Sequence, residues 1–135
     1  MKSKPDFIAR SRNSSNSLTG TSDKEGKNLV NFISTTFLSR MVLITGSAQG
    51  MGKVIAQKMA SQGAIIALND IPSQEENLKK LKEEIGKKTE AEYFLADVSN
   101  LGQVQKALKD IEQKFGRLDI LVNNAGICKD RTLAK

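Results

Sequence analysis

From residue 41 onward, apolar runs of about five residues alternate with longer stretches of helical periodicity. Met41-Val42-Leu43-Ile44-Thr45 is a continuous apolar run that stops at Gly46. A strand buried on both faces reads this way, because neither face can be polar. The next stretch repeats Ile55 and Met59 at a spacing of four and closes near Gly63, which predicts a helix. Residues 64–68 (Ala-Ile-Ile-Ala-Leu) form a second buried run, stopped by Asn69-Asp70. Leu78, Leu81 and Ile85 share one face of a helix over 73–85, with Gly86 placed to end it. Residues 92–96 predict a third strand. Ser99 is the expected cap of a helix whose stripe is Leu101, Val104, Leu108, Ile111 and Phe115, closed by Gly116. Residues 118–122 predict a fourth strand, broken by Asn123-Asn124-Ala125-Gly126.

The order β-α-β-α-β-α-β implies an α/β fold with a parallel sheet and crossover helices. The pattern fails before residue 29, where Ser, Asn and Gly dominate, so residues 1–40 read as a flexible, disordered basic arm and 41–135 as one partial domain. Residues 29–38 fit a short helix or a strand equally.

Composition narrows the chemistry. The chain has 135 residues and no histidine, which removes histidine triads and most zinc sites. One cysteine, Cys128, excludes an intrachain disulfide and fits a reducing, cytoplasmic setting. The net charge is +6, but residues 1–40 hold seven Lys/Arg against three acids, and the body is nearly balanced. The body mixes signs along its helices, so no nucleic-acid groove is expected. No apolar run approaches the roughly 18–20 residues of a membrane span. The basic, Ser-rich first 22 residues also resemble an organellar leader, which keeps a mitochondrial location as the alternative.

Thr45-Gly46-Ser47-Ala48-Gln49-Gly50-Met51-Gly52 lies where the first strand turns into a helix. Such a turn aims backbone N–H groups and the positive end of the helix dipole at one point, which suits a phosphate. Asp70 follows Gly52 by 18 residues, at the end of the second strand, where a carboxylate receives ribose hydroxyls and repels a 2′-phosphate. Residues 47–51 and 71–74 contain no Lys or Arg to offset that repulsion, which predicts NAD in preference to NADP.

Taken together, Thr45 to Gly52, Asp97-Val98 after the third strand and Asn123-Asn124-Ala125-Gly126 after the fourth resemble the short-chain dehydrogenase/reductase family, N-terminal half. The resemblance covers residues 41–135 and implies a Rossmann-type doubly wound sheet that binds a nicotinamide dinucleotide. It implies Gly46, Ser47, Gln49, Gly50, Met51 and Gly52 around the pyrophosphate, Asp70 and Ile71 at the adenosine ribose, and Asp97 and Val98 at adenine. Asn124, Ala125 and Gly126 would shape the nicotinamide side and brace the central strand. Residues 124–133 look most like the 3-oxoacyl-(acyl carrier protein) and acetoacetyl-CoA reductases, which implies β-keto thioester reduction and fatty acid metabolism. Those enzymes commonly carry a basic residue in the glycine loop and use NADPH, whereas Gln49 and Asp70 here point to NAD.

The family's catalytic set is a Ser, a Tyr-x-x-x-Lys pair and an Asn. The one tyrosine, Tyr93, is followed four residues later by Asp97, so it does not match, and the catalytic positions would lie beyond Lys135. The chain alone is therefore expected to be inactive. With one half of the fold, the fourth strand becomes an edge, and the expectation is marginal stability and association through that edge. The rival readings are a non-catalytic dinucleotide-binding or interaction module, and an incomplete gene product with residues 1–40 wrongly joined.

Overall fold

In the computed structural model, which describes residues 36–127, four parallel strands lie in the order β3-β2-β1-β4 with helices on both faces. The elements are β1 (Met41–Thr45), α1 (Gly50–Ser61), β2 (Ile65–Asp70), α2 (Glu75–Gly86), β3 (Ala91–Leu95), α3 (Leu101–Phe115) and β4 (Ile120–Val122). A single 3-10 turn, Pro72–Gln74, leads into α2. This is the Rossmann-type arrangement. The expectations for residues 1–35 and 128–135, Cys128 included, lie outside the described residues. No helix among the described residues is long and apolar enough to cross a membrane.

The two central strands are apolar throughout because both of their faces are covered. On one face Val42, Ile44, Ile66 and Leu68 pack with Leu78, Leu81 and Ile85 of α2. On the other, Met41, Leu43, Ile65 and Ala67 meet Ile111 of α3, joined by Phe94 and Phe115, whose rings stand edge to face 6.4 Å apart. Each fully buried Ile or Leu contributes roughly 1.5–3 kcal/mol. Edge strands β3 and β4 are only half covered.

Several boundaries differ from the sequence reading, each for a local reason. β2 runs through Asn69 and Asp70, because β3 continues the ladder beside it to Leu95. The cap of α3 is Asn100, whose Oδ1 accepts the Gln103 N–H at 3.1 Å, while Ser99 turns back to Asp97. Gly86 sits in the last turn of α2, and Lys87 is the C-cap, in ordinary right-handed geometry. α1 buries Gly52, Ala56 and Ala60, with Ile55 and Met59 only flanking them. That small-residue seam lets α1 lie close to the sheet and carries its N-terminus to the strand ends. Residues 36–40, grouped with the arm by composition, are fastened to the body: the Phe37 N–H donates to Gln62 O at 3.0 Å and its ring packs on the core. In α3 Ile111 is buried, whereas Leu101 and Leu108 of the expected stripe are 71% and 41% exposed.

Two carboxylates contribute stability that acid removes. Burial raises the Glu92 pKa, but hydrogen bonds from Lys82, Lys114 and the Tyr93 N–H outweigh it, so the group titrates below its ordinary value. Burial also raises the Asp119 pKa; the Arg117 guanidinium and the Met41 N–H, which donates at 2.7 Å, reverse the sign. A carboxyl whose pKa is lowered by folding stabilises the protein above its unfolded value, and the contribution is lost as pH falls through the folded value. The thermal midpoint is therefore expected to drop as pH falls below about 4. Asp119→Asn should flatten part of that dependence; an unchanged profile would remove Asp119 from the account.

Candidate dinucleotide site

The carboxyl ends of all four strands open on one side into a cleft of about 540 Å³. In doubly wound sheets the crevice at these ends, where crossovers diverge to opposite faces, is the place for a ligand.

Its floor begins at the turn after β1. Gly46 holds φ +63, and a Cβ there would stand 2.8 Å from Ala125 Cα, so the position needs glycine twice over. Gly52 has ordinary backbone geometry, but a Cβ would collide with Gly46 O and lie 2.5 Å from Asn124 Nδ2. Gly50, at φ +59, faces open space. The first amides of α1 have no carbonyl one turn back; Lys53 is the first to find one, at Gln49 O, 3.4 Å away. No side chain caps the helix and no acid lies in its first turn. Its positive end is therefore available to an anion.

Around that turn, Thr45 and Asn124 form a clasp. Thr45 Oγ1 accepts the N–H groups of Asn124 and Ala125, both at 3.0 Å, and donates to Val122 O at 3.4 Å. The Asn124 side-chain amide donates to Thr45 O and Gly46 O, both at 3.1 Å. Thus the Asn-Asn-Ala-Gly segment grips the glycine turn directly, which places Asn124, Ala125 and Gly126 on the cleft wall.

The opposite wall comes from β2 and β3. Asp70 Oδ2 accepts the Ala48 N–H at 3.0 Å and Oδ1 accepts the Ile71 N–H at 2.9 Å, so the carboxylate is fixed in the cleft by the glycine loop itself. Ile71 and Val98 are large apolar residues, 41% and 49% exposed, and both line the cleft. Asp97 lies beside Val98. Hydrogen bonds from the Ser99 hydroxyl and then the Ser99 N–H hold its carboxyl below the ordinary range. Asp70 and Asp97 are both acidic, and no Lys or Arg lines the cleft among the described residues.

Of the residues expected at the site, the fold brings nine to the cleft lining: Gly46, Gln49, Asp70, Ile71, Asp97 and Val98 together with Asn124, Ala125 and Gly126. Gly50, Met51 and Gly52 form the helix start and are not among the cleft-lining residues; Met51 is 74% exposed. Ser47 is placed elsewhere: it is fully buried, and its hydroxyl is engaged with the backbone of Asn69. Sequence reasoning missed Asn69, Gln74, Ala96, Ser99 and Ile127 as lining residues. Asn69 had a signal, since a polar residue inside a buried apolar strand demands a partner. Its Nδ2 donates to Phe94 O and Ala96 O, tying the end of β2 to β3, while the buried Oδ1 has no hydrogen-bond partner among the described residues.

The sequence model of one family, described as short chain dehydrogenase, matches residues 40–135. The 3-oxoacyl-[acyl-carrier-protein] reductase FabG of Thermotoga maritima is 37% identical over 97 residues, covering 71% of this chain and 39% of that protein. Among solved structures, a short-chain dehydrogenase/reductase from Burkholderia phymatum in complex with NAD superposes with a TM-score of 0.63 at 33% identity, covering 67% of this chain and 32% of that one. The L-sorbose reductase of Gluconobacter frateurii, complexed with NADPH and L-sorbose, gives a TM-score of 0.64 at 31% identity, over 74% and 38% of the two chains. The chain thus spans about two fifths of the length of the curated relatives it matches.

Proposed function

We propose, for a chain that belongs to the short-chain dehydrogenase family, that residues 41–127 bind NAD in preference to NADP, as the cofactor end of an oxidoreductase. The pyrophosphate rests on the amides that open α1, between Gly46 and Gly52. Asp70 and Ile71 hold the adenosine ribose, and adenine lies between Ile71 and Val98 with Asp97 at its edge. Asn124, Ala125 and Gly126 border the nicotinamide end. The observation that carries this reading is the pairing of an uncapped helix start with the anchored Asp70 carboxylate in one cleft. Bound there, a nicotinamide ring supplies reversible hydride transfer to or from a carbonyl or alcohol carbon. The acyl-reductase relatives support a 3-oxoacyl thioester as the substrate class of the whole protein, in a cytoplasmic setting.

The preference for NAD rests on charge. A 2′-phosphate next to Asp70 and Asp97, with no lining cation among the described residues, meets repulsion from both carboxylates in a partly desolvated cleft. Tyr93, meanwhile, donates its hydroxyl to Glu75 at 3.0 Å and is not among the cleft-lining residues, which favours binding without turnover as the behaviour of this chain alone.

Fluorescence titration with NADH and NADPH tests both points. NADH should bind more tightly, and Asp70→Ala should weaken NADH by about tenfold or more through loss of charge-assisted hydrogen bonds. The same variant should weaken NADPH little or improve it. Equal losses for both cofactors would mean that Asp70 only anchors Ala48. Addition of a β-keto thioester should produce no NADH consumption; measurable turnover would overturn the assignment of this chain as the binding part.

A further inference from the structure

The sheet has a second edge, at β3, on the side away from β4. Ile66 N–H donates to Glu90 O and Ala96 N–H to Asp70 O, so Glu90, Glu92, Phe94 and Ala96 turn their backbone groups toward β2. Alternation leaves those of Ala91, Tyr93 and Leu95 facing outward. A row of this kind invites strand addition unless something covers it. The sequence adds to the hazard: Ala91-Glu92-Tyr93-Phe94-Leu95-Ala96 centres on the strand formers Tyr93 and Phe94, lacks Pro and Gly, and carries one charge.

That one charge is wrapped over the edge. Glu92 Oε1 accepts the Tyr93 N–H at 3.0 Å, the middle donor of the outward row. Lys82 of α2 donates to the same oxygen at 2.6 Å, and Lys114 of α3 donates to Oε2 at 2.9 Å. The two lysines come from opposite faces of the sheet, so the carboxylate is held at the rim from both sides. Its side chain is only 18% exposed. Beside it, a groove of about 410 Å³ opens along the strand, with Lys82 and Lys106 against Glu75 and Asp110 among its lining residues.

We propose that Glu92 is a gate on this edge: its carboxylate occupies the backbone donor that strand addition requires, and its removal opens β3 to antiparallel pairing with β3 of a second copy. A second copy fits because the outward row is self-complementary about a two-fold axis, with Tyr93 of each chain offering both an N–H and a C=O. The groove supplies room, and its mixed charges suit a copy of itself. This surface is distinct from the β4 edge.

The test uses the whole 135-residue chain. In sedimentation over a concentration series, Glu92→Ala should self-associate about tenfold more tightly than wild type, since one charge-assisted hydrogen bond no longer has to be broken first. Exchange of the Tyr93 and Leu95 amides should slow as its concentration rises. Adding Leu95→Pro, which removes an outward N–H and leaves the gate position untouched, should return association to the wild-type level. If Glu92→Ala does not fold, the Lys82→Ala/Lys114→Ala variant unfastens the carboxylate and should show the same concentration-dependent slowing. Association no tighter than wild type, or association that survives Leu95→Pro, overturns the proposal.

Discussion

Gly52→Ala is expected to abolish dinucleotide binding and to cost the fold about 3 kcal/mol, the upper end of ordinary overpacking. The added carbon would fall on Gly46 O and within 2.5 Å of Asn124 Nδ2. Backbone oxygen cannot swing aside as a flexible side chain would. Either α1 moves off the sheet, breaking the seam of Gly52, Ala56 and Ala60, or the glycine turn shifts and the Thr45–Asn124 clasp opens. Both displace the amides proposed to receive the anion. Gly50→Ala separates fold from function, because a Cβ there meets nothing within 4 Å. Its stability cost is about 1–2 kcal/mol from the left-handed backbone. Its cofactor affinity should still fall sharply, since the carbon projects into the open space at the helix start. Thermal melts paired with NADH titration check both variants; Gly52→Ala binding like wild type would remove the phosphate role from this turn.

The second large effect falls at Asn124. Asn124→Ala strips the donor from Thr45 O and Gly46 O at once, for a cost of about 2 kcal/mol. For an ordered body of this size that corresponds to a midpoint lower by about 10 °C. Asn124→Asp should be worse, despite its equal volume, because a carboxylate would point at two carbonyl oxygens. Cofactor affinity should fall with stability in both, since the clasp sets the shape of the glycine turn. An Asp variant as stable as wild type would show that the two bonds contribute nothing.

The buried strands were legible because β1 and β2 are covered on both faces, and continuous apolar runs are the sequence signature of that condition. Helix α2 was legible through Leu78, Leu81 and Ile85. Helix α1 was legible as a helix but not in its packing, because Gly52, Ala56 and Ala60 carry little hydrophobicity and are buried for their size. The cap of α3 was misplaced by one residue, since Ser99 and Asn100 are both good caps and only the path of the chain from Asp97 decides between them.

The same division runs through the site. Glycine spacing and Asp70 are one-dimensional features, so the sequence alone determined that a glycine turn ends the first strand and a carboxylate ends the second. What Asp70 does in the resting protein, anchoring Ala48, was decided by the tertiary structure, as was the withdrawal of Ser47 behind the turn to Asn69. Glu92 is the clearest case. In sequence it is one acid in a strand, and only the approach of helices from both faces of the sheet brings Lys82 and Lys114 to its two oxygens. Short-range patterns are written in the order of residues along the chain; partnerships between residues far apart depend on which elements the sheet order makes neighbours, and that is settled by packing.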